Sequence, residues 1–443
     1  MIILLTLVYL LCIAYGVYTG QVAMALSVFV GYAAVWGILR LCLKPKSDLP
    51  FRIYTLFTVI YGTLVLLTQI ELIHDPFRDY YVHNDAAMSF YKMIMTNVLP
   101  CSWGELFKKT IGSSLFYHYP LAAFVMSFFG KLGMVLGIEN LRLFLRIHIF
   151  LCGASVVTIM TNLLDFENMP ERRIKELVVC FGLFTYLFIS SAIFSRDIYV
   201  TFVYTVAAYV CLKKDVKRRL LIFIILFFAA RGFRPQNGLL LLVYPISFYY
   251  KILLRRIGKI GILLLVLACL GISLFLQDSI SMGSASLLTY DEKTMSNTGG
   301  LFIRFYQLPF PLNTFVLVIY MLLMPLPVFG ACIGKGLTWL NLPYSASPYL
   351  LLLVIFVCGY YVFKKRDDNR NIRIMILASF LIYAAIIYGS PDVRRAFAAI
   401  PGLYMCYGLV EKEVPTYEKT RIKRIGWPVI AAINLFFAYY VYL

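Results

Sequence analysis

The sequence predicts an all-α, polytopic membrane protein, and three properties of its composition support this class. Of its 443 residues, 61% are apolar and 14% are charged, whereas soluble domains are usually about 45–50% apolar and about 25% charged. The mean hydropathy is +0.81. No polar stretch is long enough for a separate soluble catalytic domain. Since a helical span takes about 20 apolar residues, we expect about 10–13 spans in a single transmembrane domain over residues 1–443.

The charge distribution predicts the orientation of these spans. The formal charge of +19 comes from 41 Lys and Arg against 22 Asp and Glu. Lys and Arg concentrate in cytoplasmic loops, so we attribute the excess to membrane topology and not to nucleic-acid binding. A cytoplasmic N-terminus follows, with Met1–Ile13 as part of a retained first span. Five basic clusters are therefore predicted to be cytoplasmic: residues 40–52, 213–219, 251–259, 364–373 and 412–424.

The apolar segments can be laid between these clusters. Residues 2–18 and 22–42 are predicted to form a helical hairpin, and residues 53–73 then lead out of the cell. Three polar segments are predicted to form outer loops: residues 74–112, 278–312 and 390–396.

Three segments do not fit simple crossings. Residues 113–137 and 314–334 disturb the alternation of sides, so we expect that neither crosses the membrane fully. Residues 113–137 are predicted to be re-entrant or interfacial, and a re-entrant segment entered from the outside must be covered by protein or by a water-filled cavity. The connector RGFRPQNG, residues 231–238, lies between apolar arms too short for a membrane core of about 30 Å. Either the bilayer is locally thinned, or Arg231 and Arg234 lie below the membrane surface and face protein. We expect both to face an outward-opening cavity, because lipid exposure of a charge is costly.

The predicted outer face carries an unusual number of arginines, whose planar guanidinium suits phosphate and carboxylate. Carboxylates there could accept a proton from a hydroxyl or hold a divalent cation. The 10 Cys lack a CxxC pair or a metal-ligand spacing with His, so we predict no metal site and no cofactor, with a divalent cation left open. The alternatives are a solvated acidic loop, a salt-bridged turn at residues 195–197 and a solvated helix cap at residues 390–401. The candidate catalytic residues are Asp85, Arg196 and Asp197, and the candidate substrate-binding residues are His118, Arg231, Arg234, Arg394 and Arg395.

Several short motifs resemble known membrane enzymes. The passage YHYPLAAFVMSFFGKLGMVLGIENLRLFLRIHIFLCG (117–153) resembles the segment after the first outer loop of GT-C-type integral membrane glycosyltransferases. Later segments resemble those of bacterial repeat-unit polymerases of O-antigen, capsule or exopolysaccharide. These segments are FSRDIYVTF (194–202), FRPQNGLLLL (233–242), PLPVFG (325–330) and SPDVRRAFAAIPGLYM (390–405). The resemblance implies a GT-C-like fold in the bacterial plasma (inner) membrane. It also implies transfer of a sugar or oligosaccharide repeat unit from an undecaprenyl-diphosphate or polyprenyl-phosphate carrier on the outer side.

Carried over to this chain, the resemblance makes Asp85 the candidate base. It makes Arg196, Arg231, Arg234 and Arg394 candidate contacts to the diphosphate or the acceptor. The first outer loop holds no DxD pair, which favours neutralisation of the leaving diphosphate by arginines over a metal mechanism. The implied partners are the polyprenyl-diphosphate-linked glycan, the bilayer and other polysaccharide-assembly proteins. A transporter or flippase of lipid-linked oligosaccharide is the alternative, although the internal repeats typical of transporters are not apparent.

Overall fold

The computed structural model describes most of the N-terminal half and parts of the C-terminal half. All regular secondary structure in the described residues is helical, and they contain no β-strand, which confirms the all-α class. The described residues are 2–69, 94, 101–112, 119–193, 196–213, 216–250, 255, 308–309, 312–323, 346–364, 370–389 and 393–442.

The helices follow the apolar segments of the sequence. The first nine are α1 (Ile2–Thr19), α2 (Val22–Leu43), α3 (Leu49–Gln69), α4 (Trp103–Thr110), α5 (Pro120–Val135), α6 (Leu141–Phe166), α7 (Glu171–Leu183), α8 (Tyr186–Ser190) and α9 (Asp197–Leu212). The others are α10 (Arg219–Phe233), α11 (Pro235–Leu241), α12 (Leu312–Leu323), α13 (Ser347–Lys364), α14 (Arg370–Gly389), α15 (Val393–Ala396), α16 (Ile400–Val410) and α17 (Thr416–Tyr442), with 3-10 turns at Phe397–Ala399 and Glu411–Glu413.

Within the described residues, five helices are long and apolar enough to cross a membrane: α1, α2, α3, α6 and α13. Shorter apolar helices lie at Pro120–Val135, Asp197–Leu212 and Asn371–Ile387. A bundle of this kind is a helical membrane protein. The total of about 10–13 spans stays a prediction because much of the chain between residues 251 and 345 lies outside the described part.

Helix α6 forms the centre of the bundle. In the most apolar 18-residue stretch of α6, 89% of the residues are buried inside the protein. This burial is expected for a helix that has apolar residues on all sides. Helices α3 and α9 pack along it. The predicted hairpin of the first two helices is confirmed, since α1 packs against α2 across a turn that contains Gly20 at φ 66°.

One end of the bundle gathers basic residues, and we call it the basic end. Lys213 donates a hydrogen bond to the carbonyl of Leu43 at 3.0 Å, and Lys46 donates one to the carbonyl of Phe166 at 2.7 Å. These contacts join the first two predicted basic clusters at the C-terminal end of α6. That this end faces the cytoplasm stays a prediction.

Contacts along α6 place the start of α9 well inside the bundle. The two helices run parallel, because the Cys152 thiol contacts the carbonyl of Ile198 and the Asn162 amide donates to the Tyr209 hydroxyl. Cys152 lies eleven residues after the first residue of α6, which is about 16 Å along a helix axis. Helix α9 therefore begins at an intermediate depth and not at the end of α6 opposite the basic end.

Helices α4 and α5 form an antiparallel pair at that opposite end. The Trp103 ring contacts Phe128, and the Phe107 ring contacts Phe124. Helix α5 starts beside Arg196 and finishes near the first turn of α6. It therefore does not reach the basic end, which supports the prediction that residues 113–137 do not cross the membrane.

Two predicted segments differ from the helices that the structure describes. The connector predicted at residues 231–238 is wrong in extent: α10 continues to Phe233, α11 begins at Pro235, and only Arg234 separates them. Proline is well tolerated at the first position of a helix, which explains the early restart. In the segment 314–334, residues up to Leu323 belong to α12, and the remainder lies outside the described residues.

Candidate functional site

An ion pair joins two of the predicted site residues. The Arg234 guanidinium lies 3.0 Å from a carboxylate oxygen of Asp197, and the side chains are only 11% and 10% exposed. Asp197 is the first residue of α9, and Arg234 has extended backbone between α10 and α11. Two separate breaks in helical structure thus bring opposite charges together inside the bundle.

The depth of this pair makes it energetically expensive. A charged side chain near the centre of a membrane costs about 2.5–3.5 kcal/mol or more, and such residues almost always pair and mark a functional site. Asp197 pairs with Arg234 across 37 positions of sequence. The alternative of a locally salt-bridged turn at residues 195–197 therefore does not describe the Asp197 side chain.

Arg196 lies beside this pair and packs on an aromatic ring. Its guanidinium stands 4.1 Å from the centroid of the Tyr119 ring, at the start of α5. A cation over a ring face is attracted by the ring quadrupole. The contact holds the Arg196 guanidinium against the ring.

A column of four nearly parallel rings runs through the bundle next to the residues that carry the pair. Phe129 stacks on His148 with centroids 4.5 Å apart, His148 stacks on Tyr199 at 5.7 Å, and Tyr199 stacks on Phe233 at 5.1 Å. His148 Nε2 and the Tyr199 hydroxyl also form a hydrogen bond. The column joins α5, α6, α9 and α10, and its last two members lie within two residues of Asp197 and Arg234 in sequence.

Two ionisable residues on α6 were missed by the sequence analysis. Arg146 is fully enclosed, at 2% exposure, and donates a hydrogen bond to the Thr68 hydroxyl at 2.9 Å. His148 belongs to the ring column. The available signal was the segment LRIH in the middle of an apolar span, because ionisable residues within spans are rare and usually functional.

Arg231 and Arg234 differ in their surroundings. Arg234 is buried, whereas Arg231 is exposed on the last turn of α10. Gly238 packs against Arg231 so closely that an added Cβ would lie 2.8 Å from the Arg231 Cβ. Of the two, Arg234 alone is therefore buried in protein. The outward-opening cavity stays a prediction, because most of the predicted outer loops lies outside the described residues.

The segment with Arg394 and Arg395 approaches the same level of the bundle. Both arginines belong to α15, which packs against α8, and the 3-10 turn that follows packs against α9. Phe397 stacks on Phe181 with ring centroids 6.0 Å apart. Since α8 ends six residues before Arg196, three separate arginine-bearing segments come into one region of the protein. The Arg395 side chain is half-buried.

The remaining predicted residues, Asp85 and His118, lie outside the described part of the chain. Of loop 74–112, the structure describes mainly α4, which begins with a capping box between Ser102 and Glu105. The backbone N–H and the hydroxyl of Ser102 donate hydrogen bonds to the Glu105 carboxylate, and these bonds lower the pKa of Glu105 below the usual 4.5. Within the described residues, no three His, Cys, Asp or Glu side chains gather as a metal site would require.

The arrangement suits an anionic ligand. Arginine forms short, charge-assisted hydrogen bonds with phosphate oxygens, and two arginines lie together where α9 and α11 begin. In comparisons with known proteins, no family model, curated protein or solved structure matches the sequence.

Proposed function

We propose that this protein is a membrane glycosyltransferase that transfers a sugar or an oligosaccharide repeat unit from a polyprenyl-diphosphate carrier. The single observation that carries the proposal is the buried Asp197–Arg234 pair with Arg196 beside it. A diphosphate is a ligand that these arginines could hold. A GT-C-like fold, a bacterial plasma membrane and a site on the outer side belong to the same proposal, and they rest on the sequence resemblance.

The reaction assigns each group a defined task. The acceptor hydroxyl attacks the anomeric carbon of the donor sugar while the bond from that carbon to the diphosphate oxygen breaks. The hydroxyl proton passes to a base, for which Asp85 is the candidate. The leaving diphosphate keeps the bonding electron pair, and Arg196 and Arg234 neutralise the charge that develops on it. Asp197 holds the Arg234 guanidinium in place.

Transport of a lipid-linked oligosaccharide is the second candidate function. One observation favours it: α10 and α11 form a broken helix pair with a charged residue at the break. Transporters often bind substrate at breaks of this kind near the middle of the membrane.

Glycan analysis in cells separates the two functions. We expect Arg234→Lys and Arg394→Lys to lower the rate of glycan extension by about 10–100-fold, because each charge-assisted hydrogen bond is worth about 1.5–3 kcal/mol. Asp85→Asn should lower it by about 10²–10⁴-fold, the usual contribution of a general base. Lysine should not rescue the arginines, since it lacks the bidentate fork. Arg172→Gln serves as the control because its side chain is 91% exposed.

The position of the accumulated intermediate gives the second readout. A failed transferase leaves lipid-linked units on the outer leaflet, where an added glycosidase can reach them. A failed flippase leaves them on the inner leaflet. Glycan of normal length from all three variants, at normal protein levels, would show that the residues and the reaction are wrongly assigned.

A further inference from the structure

A cavity of about 250 Å³ lies at the basic end of the bundle, on the side away from the Asp197–Arg234 pair. Its polar lining comes from Glu167, Arg219 and Asn371, and its apolar lining includes Phe248 and Leu409. The cavity therefore lies among the ends of α6, α9, α10, α14 and α16. Its lining combines one cation, one anion and a hydrophobic wall.

Arg219 is held in place within this cavity. Its guanidinium lies 4.6 Å from the centroid of the Phe248 ring and donates a hydrogen bond to the carbonyl of Lys213. Arg219 is also the first residue of α10, and the N-cap residue Arg218 makes no side-chain capping bond. A fixed guanidinium and the uncapped N–H groups of a 15-residue helix meet at the cavity wall, and both favour an anion.

Basic residues lie close in sequence to the residues that line the cavity. Lys217 and Arg218 are exposed immediately before Arg219. Phe248, Asn371 and Leu409 each lie within or a few residues from one of the predicted basic clusters at 251–259, 364–373 and 412–424. Basic pockets between membrane helices bind the phosphate groups of lipids. The position at the end of the bundle, where lipid headgroups lie, fits the same ligand.

Glu167 narrows the choice of headgroup. A carboxylate in the same cavity would repel a simple anion, but it would accept a hydrogen bond from a headgroup that also carries N–H or O–H groups. Phosphatidylethanolamine and phosphatidylglycerol carry such donors beyond the phosphate. Phosphatidylcholine does not, because its quaternary ammonium has no N–H.

We propose that this cavity is a binding site for a phospholipid headgroup that presents a phosphodiester to Arg219 and a hydrogen-bond donor to Glu167. The site is independent of the proposed glycosyltransferase activity, because it lies at the basic end of the bundle whereas Arg196 and Arg234 lie at an intermediate depth. Its apolar wall, with Phe248 and Leu409, would contact the glycerol and the first acyl carbons.

Lipid retention by the purified full-length protein tests the proposal. The protein is exchanged into mixed micelles that contain equal amounts of phosphatidylethanolamine, phosphatidylglycerol and phosphatidylcholine, and bound lipid is measured by native mass spectrometry. We expect the wild-type protein to retain the first two lipids and to discriminate against phosphatidylcholine. Equal retention of all three lipids by the wild-type protein would overturn the proposal without any variant.

Two variants and one control assign the contacts. Arg219→Gln should weaken retention of both preferred lipids by about 10-fold, the effect of losing one charge-assisted hydrogen bond. Glu167→Gln should weaken the retention of phosphatidylethanolamine more than that of phosphatidylglycerol, because only the phosphatidylethanolamine headgroup carries a positive charge. Arg172→Gln, an exposed arginine one helix away, should change nothing. Equal losses in Arg219→Gln and Arg172→Gln would refute the assigned contact.

Inorganic phosphate distinguishes a lipid from a soluble ligand. We expect phosphate at millimolar concentration to leave lipid retention unchanged, because it makes no apolar contacts with Phe248 and Leu409 and the Glu167 carboxylate repels a free anion. Displacement of the lipid by phosphate at that concentration would mean that the cavity serves a soluble anion and would overturn the lipid assignment.

Discussion

Removal of one partner of the Asp197–Arg234 pair is the most direct test of the buried site. Asp197→Asn keeps the shape of the side chain but leaves the Arg234 charge without its carboxylate. Both side chains are nearly enclosed, with N and O atoms 3.0 Å apart. Breaking a buried pair in this way costs about 3–5 kcal/mol, because the remaining charge loses its compensation.

The expected loss of stability can be measured as a decrease in the melting temperature. For domains of about 150–250 residues, 1 kcal/mol shifts the melting temperature by about 2–4 °C, and the shift is smaller for longer chains. We therefore expect Asp197→Asn to lower the midpoint of thermal unfolding in detergent, followed by tryptophan fluorescence, by about 3–10 °C. Arg172→Gln removes an exposed ion pair and should stay within about 1 °C of wild type.

The double variant isolates the pairing itself. With Asp197→Asn and Arg234→Gln together, no unpaired charge remains, so at least half of the lost stability should return. The reasoning is refuted if Asp197→Asn melts with the wild type. It is equally refuted if the double variant is as unstable as the sum of the two single variants, since that result would mean the groups do not interact.

Two further predictions concern packing and topology. Gly182→Ala should destabilise the protein by about 1–3 kcal/mol, because its new Cβ would lie 2.1 Å from a Phe57 ring carbon. In the control Gly359→Ala the new Cβ meets nothing within 4 Å, so this variant should melt at or above the wild-type temperature. Equal melting temperatures of the two variants would contradict this packing. Single cysteines introduced at positions 215 and 367 should react with a membrane-impermeant maleimide only after the cells are opened, and labelling of intact cells would overturn the predicted orientation.

Helical class and the ends of several helices follow from local properties of the sequence. Apolar runs of about 20 residues predict spans because backbone groups inside a membrane must bond within their own helix. The hairpin of α1 and α2 needs no long-range information. The sequence also predicts that basic residues gather at one end of the bundle. The contacts of Lys213 and Lys46 that join two of the clusters appear only in the structure.

The partners of the charged residues were decided by tertiary structure. Sequence alone places Asp197 next to Arg196 and leaves a local salt bridge open, yet Asp197 pairs with Arg234 and Arg196 stacks on Tyr119. Arg231 and Arg234 are equivalent in a linear pattern, but the single break at Arg234 turns only one of them into the bundle. The ring column through His148 joins four helices. Such contacts depend on how helices pack and at what depth they end, and neither property is encoded within a single segment.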